Sequence, residues 1–183
     1  MLLGQQFRGS SGYWNNVTLT FDNIVLPPAV PTPYSGDTTG APTFRRPGNI
    51  NNLSNIGTAV PYEVVPFYVT ADGVYSVETL QAFDSVPLIY SGSFDPDNAL
   101  ANLMKVYNQG LAGDPERDIV LLSTNTQYYL VVTGYLNSDF GPFSGTITNG
   151  AGVVGWAELG YVPEPTLLAA LPAVALVRRR RSV

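Results

Sequence analysis

The chain has 183 residues, enough for one ordinary domain with appendages, and only 13% of them are charged, about half the usual share. Four of its nine basic residues are the consecutive Arg178, Arg179, Arg180 and Arg181. The rest of the chain therefore sets five basic groups against 14 acidic ones, a balance of −9 that excludes nucleic acid, which is held by cations on phosphate. With no cysteine and no histidine there is no disulfide, thiolate nucleophile, catalytic triad or histidine zinc site, so most hydrolase mechanisms are excluded at once.

Eighteen glycines, 15 prolines and 11% aromatic residues describe a turn-rich, β-rich chain. In residues 1–26, Val17, Leu19 and Phe21 alternate with Asn16, Thr18 and Thr20, the period of a half-buried strand. A lone strand is unstable in water, so this one pairs with the main domain or closes a preceding β domain. Met1-Leu2-Leu3-Gly4 is too short for the apolar core of a signal peptide, and the expectation is a truncated start, with a cytoplasmic protein as the alternative. Residues 27–42 hold four prolines within Pro27–Pro33 and then Gly36 and Gly40, which predicts a semi-rigid linker.

Residues 43–161 read as the folded body. Tyr62 to Leu80 predicts a hairpin closed by Ala71-Asp72-Gly73, with Gly73 left-handed. That register pairs Val69 with Tyr75, Phe67 with Val77 and Val65 with Thr79, and so keeps the apolar side chains on one face. Val86 to Tyr90 is the next strand, and Ala99 to Tyr107 is a short helix capped by Asn98. Asp118 to Leu122 and Tyr128 to Thr133 are strands separated by the Ser123-Thr124-Asn125 turn, and Phe143, Gly145 and Ile147 define a last one. Short strands at this spacing with little helix indicate an all-β, antiparallel β-sandwich. Trp156 and Tyr161 mark either a membrane interface or, for Trp156, burial in the body.

The segments VPFYVTADGVYSVETLQAFDSVPLIYSGSFDP and DIVLLSTNTQYYLVVTGYLNSDFGPFSGTI resemble the bacterial pre-peptidase C-terminal type of domain over roughly Tyr62 to Ile147. The resemblance implies a jelly-roll-like sandwich without catalytic activity, of the kind appended to secreted enzymes and adhesins.

Carboxylate pairs are the one catalytic chemistry left, and Asp84, Asp95, Asp97, Asp114, Glu116 and Asp118 lie in or beside loops. Acidic loop residues are mostly turn formers, so no enzyme activity is expected. Asp95-Pro96-Asp97-Asn98, with Asp84 nearby if the strand ends meet, is the candidate calcium site, since calcium takes hard oxygen ligands. No other cofactor is implied.

Residues 162–183 have three parts. Val162, Pro163, Glu164 and Pro165 form a rigid extended stretch. Thr166 to Val177, including Leu167, Leu168, Leu171, Val174, Leu176 and Val177, is apolar apart from its threonine. Arg178 to Arg181 follow, as the positive-inside rule expects of a segment that halts with its end in the cytoplasm. The apolar part is 12 residues, short of the roughly 20 that a spanning helix wants. The order of the parts resembles the PEP-CTERM sorting signal of exported bacterial proteins. That resemblance implies an exosortase-type sorting enzyme as partner, a tail held briefly in the membrane as a short hydrophobic helix, and delivery to the cell surface or extracellular matrix. The expected function is therefore structural or adhesive, on or near extracellular polysaccharide. The alternative is an extracellular carbohydrate-binding module presenting Tyr13, Tyr34, Tyr107 and Tyr135.

Overall fold

A computed structural model describes residues 26–164. The strand expected around Val17 to Phe21 and the tail from Pro165 onward, with its helix, lie outside the described residues.

The strands are β1 (Pro31–Asp37), β2 (Thr43–Phe44), β3 (Pro47–Asn49), β4 (Asn52–Leu53), β5 (Val60–Val69), β6 (Gly73–Gln81), β7 (Leu88–Ser91), β8 (Leu103–Val106), β9 (Glu116–Leu122), β10 (Tyr128–Thr133), β11 (Pro142–Asn149) and β12 (Ala157–Leu159). Every pairing is antiparallel, and the described residues contain no α-helix. One sheet runs β1-β11-β6-β9 and a larger one runs β12-β5-β10-β7-β8, with β2 also on β5.

Alternating side chains from both sheets meet in one buried cluster. Tyr34, Tyr75, Val77, Leu122, Phe143 and Ile147 come from the smaller sheet, and Phe67, Val69, Ile89, Leu130 and Val132 from the larger. A second cluster lies on the other face of the larger sheet, where Leu88, Tyr90 and Val131 are covered by Phe44, Val60 and Phe94. The Phe44, Tyr62, Tyr90 and Phe94 rings meet edge to face there, with centroids 4.9–5.7 Å apart. Burial on both faces is the reason β10 reads as an unbroken apolar run while β11 alternates.

Three expectations are corrected. Residues 27–42 are not a linker throughout, because Pro31–Asp37 pairs with β11 from Pro31↔Thr148 to Asp37↔Pro142. An edge strand can hold proline, since a missing N–H on its free side takes nothing from the ladder. The hairpin over Tyr62 to Leu80 does not form either. β5 pairs with β10 and β12, β6 pairs with β11 and β9, and Thr70 to Asp72 carries the chain from one sheet to the other. Phe67, Val69, Tyr75 and Val77 still share one core, from opposite layers rather than along one hairpin. Gly73 is not left-handed; a β-carbon there would lie 2.5 Å from Val153 Cγ2. Finally, Ala99 to Tyr107 is not a helix. A short 3-10 turn, Pro96–Asn98, is capped by Asp95 rather than Asn98, and β8 then pairs with β7. Apolar Leu103 and Val106 are satisfied by the sheet, which overrides a weak helical preference.

Candidate functional site

The chain leaves the body beside Gln127. Its side-chain amide donates to the carbonyls of Phe67 at 3.1 Å, Tyr128 at 3.0 Å and Gly160 at 3.2 Å, and its oxygen accepts the N–H of Val162 at 2.8 Å. Val162 is half-buried, and Pro163 and Glu164 are exposed. Of the expected sorting residues these three are placed; Pro165, the apolar run from Thr166 and the four arginines lie outside the described residues. Trp156 is half exposed, with its indole N–H donating to Glu158 Oε1 at 3.0 Å, and Tyr161 is exposed.

The three candidate calcium ligands are not gathered. Asp84 precedes β7, while Asp95 and Asp97 follow it, and Asp95 Oδ1 accepts the N–H of Asp97 at 3.0 Å as a turn cap. Among the described residues no three acidic side chains are placed to hold a metal ion. Asp84 lies instead on the side of Arg46 and Asp139. Its carbonyl accepts the N–H of Tyr135 at 2.8 Å, while its Oδ1 is buried without a partner. Burial raises its pKa, the charges of Asp139 and Glu116 add to this, and Arg46 opposes them. Of the other acidic candidates, Glu116 is buried and accepts the N–H groups of Gln109 at 3.0 Å and Gly110 at 2.9 Å. Asp118 pairs with Lys105 at 2.8 Å. Both are thereby committed to structure.

The tyrosines divide. Tyr34 and Tyr107 are buried, at 5% and 1% exposure, and cannot present rings to a sugar. Tyr13 lies outside the described residues. Tyr135 is half-buried and lines an open cleft of about 300 Å³ with Arg46, Asn49, Asn52, Asn55 and Asn108.

That cleft is built by the loop between β2 and β5. Asn49 Oδ1 accepts the N–H groups of Asn51 at 2.8 Å and Asn52 at 3.0 Å, which closes the β3–β4 turn. The Ser54 hydroxyl accepts those of Ile56 at 3.2 Å and Gly57 at 2.9 Å. Arg46 is anchored through its own backbone, its N–H on the Gly57 carbonyl at 3.1 Å and its carbonyl on the N–H of Ser54 at 2.9 Å. Its side chain is 1% exposed and lies 5.0 Å from the centre of the Tyr135 ring. Burial lowers its pKa, against the attraction of Tyr135, Asp84 and Asp139. Sequence reasoning passed over this residue. The available signal was the Arg45-Arg46 pair itself, two of only five cations ahead of the terminal cluster.

No family model matches the chain, and neither the curated proteins nor the solved structures contain a match.

Proposed function

We propose that this chain is an exported, non-enzymatic, jelly-roll-like β-sandwich of the bacterial surface or extracellular matrix, sorted by its C-terminal tail. The observation that carries this is the order of the last 22 residues: Pro163-Glu164-Pro165, an apolar run, then Arg178 to Arg181. The body supports it, because β12 is the last strand among the described residues and the chain then passes Gln127 into exposed Pro163 and Glu164, where a sorting enzyme can reach them. The apolar run would hold the tail in the bilayer and the arginines would keep its end in the cytoplasm. Without histidine or cysteine most hydrolase mechanisms are closed to the chain, which favours structural or adhesive work over catalysis.

Replacing Pro163-Glu164-Pro165 with alanines in a host that has an exosortase should leave uncleaved protein in the membrane fraction. Unchanged processing would sink the proposal.

A second reading, a carbohydrate-binding module, is favoured by the cleft at Tyr135, where asparagine amides surround an aromatic ring. A glycan array separates the two, since a purely structural protein gives no saturable binding.

A further inference from the structure

The point where the chain leaves the body is held in place. Gly160 donates its N–H to the Pro66 carbonyl at 2.8 Å, and Gln127 bonds both the Gly160 carbonyl and the Val162 N–H. Tyr161, between these anchors, is 70% exposed, and Val154, Trp156 and Leu159 are 46–79% exposed. Single apolar side chains in water need no explanation. Four of them within the eight residues 154–161, at the root of an apolar tail, mark a surface that meets something. The carboxylate among them is engaged. Glu158 accepts the indole N–H of Trp156 at 3.0 Å and the hydroxyl of Tyr68, its cross-strand neighbour on β5. Both rings are thereby held by their polar ends.

The tail sets the distance to a membrane. As a helix, Thr166 to Val177 would rise about 18 Å, against a hydrocarbon core of about 30 Å. A run this short draws its flanks toward the headgroups or thins the bilayer. Val162, Pro163, Glu164 and Pro165 alone separate Tyr161 from it, a spacer of at most roughly 18 Å that two prolines stiffen.

We propose that the exposed side chains of residues 154–161 rest on the membrane surface while the tail is embedded, with Trp156 and Tyr161 at the headgroup level that amphipathic rings favour. The surface they fit is zwitterionic. Between Leu26 and Glu164 the chain carries 13 acidic and four basic side chains, so anionic headgroups repel the body, and rings rather than charges carry the contact. The proposal rests on the membrane reading of the tail and adds to it a body with a fixed orientation.

The test uses the full chain with Trp14→Phe, which leaves Trp156 as its single tryptophan. The protein is reconstituted in phosphatidylcholine vesicles, collected by flotation, and quenched with lipids brominated either near the headgroup or at the chain end. Trp156 should lose most of its emission to the shallow label and little to the deep one, at low and at high salt. Val154→Ser with Tyr161→Ser should reduce that loss without altering the melting temperature. The orientation control is Leu121→Trp in a chain carrying Trp14→Phe and Trp156→Phe. Thr32 of β1 donates to the Ala157 carbonyl at 2.5 Å, whereas exposed Leu121 lies on β9, at the far edge of the β1 sheet. A tryptophan there should escape both labels.

Equal quenching at positions 121 and 156 would overturn the orientation, and stronger quenching of Trp156 by the deep label would overturn the headgroup placement. Quenching that grows with phosphatidylglycerol and vanishes in salt would overturn the aromatic contact. Protein that floats with Trp156 unquenched would overturn the surface alone and leave the sorting reading standing. Protein that does not float would overturn the surface and the embedding of the tail together, while processing is still read separately by the alanine replacement of Pro163-Glu164-Pro165.

Discussion

The hydroxyl of Tyr34 on β1 reaches Thr79 Oγ1 on β6 at 2.6 Å, crossing the intervening strand above Gly145. The same hydroxyl donates to the Glu78 carbonyl at 2.8 Å. The crossing works only because position 145 has no side chain: a β-carbon there would lie 2.0 Å from the Glu78 carbonyl oxygen and 2.5 Å from the Tyr34 ring. Burial drives the Tyr34 pKa upward, so its phenol stays a donor at any physiological pH. Tyr34→Phe should cost about 1–3 kcal/mol, because buried Thr79 loses its partner. Gly145→Ala should cost about 3 kcal/mol or prevent folding, since backbone cannot yield as a side chain does. Urea unfolding of both variants measures this.

Gln127 pins the exit of the chain through two contacts, donating to the Gly160 carbonyl and accepting the Val162 N–H, while its amide nitrogen also shares its two hydrogens with the Phe67 and Tyr128 carbonyls. Gln127→Ala should release Gly160 to Glu164 while sparing the core. Limited proteolysis in that stretch should speed up about tenfold, as expected of a local opening made about 1.4 kcal/mol easier. The melting temperature of the body should hardly move.

Gly57 leaves room for the stem of Arg46, whose Nε would lie 2.5 Å and Cγ 2.9 Å from a β-carbon at that position. Arg46 is enclosed and has no free space into which to retreat. Gly57→Ala should therefore destabilise the protein by about 1–3 kcal/mol and displace the loop that forms the cleft. Chemical denaturation and the amide spectrum of Asn52 and Asn55 give the two readouts.

Asp84 and Asp72 should tilt the pH profile in opposite directions. The Asp84 carboxyl is raised by burial, so the folded state holds its proton more tightly than the unfolded chain does. Its contribution is complete below about pH 4 and is lost as the pH climbs through the raised value. Asp72 accepts the N–H of Thr124 at 2.6 Å, which lowers its pKa. Its contribution is present above about pH 4 and disappears as the pH falls through the lowered value. Asp84→Asn should raise stability at pH 7 and flatten the profile above pH 4; Asp72→Asn should flatten the acid limb. Melting temperatures between pH 2 and pH 8 would expose the wrong sign for either.

Local periodicity carried much of the fold. Tyr128 to Thr133 is a strand with the bounds its residues predict, Phe143, Gly145 and Ile147 face inward, and Asn125 makes its turn at φ 57°. Partners were another matter. The pattern that puts Phe67, Val69, Tyr75 and Val77 on one side is satisfied equally by a hairpin and by two strands facing each other across a core. The candidate site divided along the same line. Pro163-Glu164-Pro165 can be found from order alone, whereas the Arg45-Arg46 pair carries no local sign of its contact with Tyr135.

By itself, then, the sequence determined how the strands alternate, the lack of histidine and cysteine chemistry, and the composition of the tail. These follow from period-2 geometry and from residue chemistry, both properties of neighbours along the chain. Tertiary structure alone decided that β5 and β6 belong to different sheets, that prolines 31 and 33 lie in an edge strand, and that Arg46 meets Tyr135. Each of these depends on contacts between residues far apart in sequence, whose free energies are settled by the packing of the whole body.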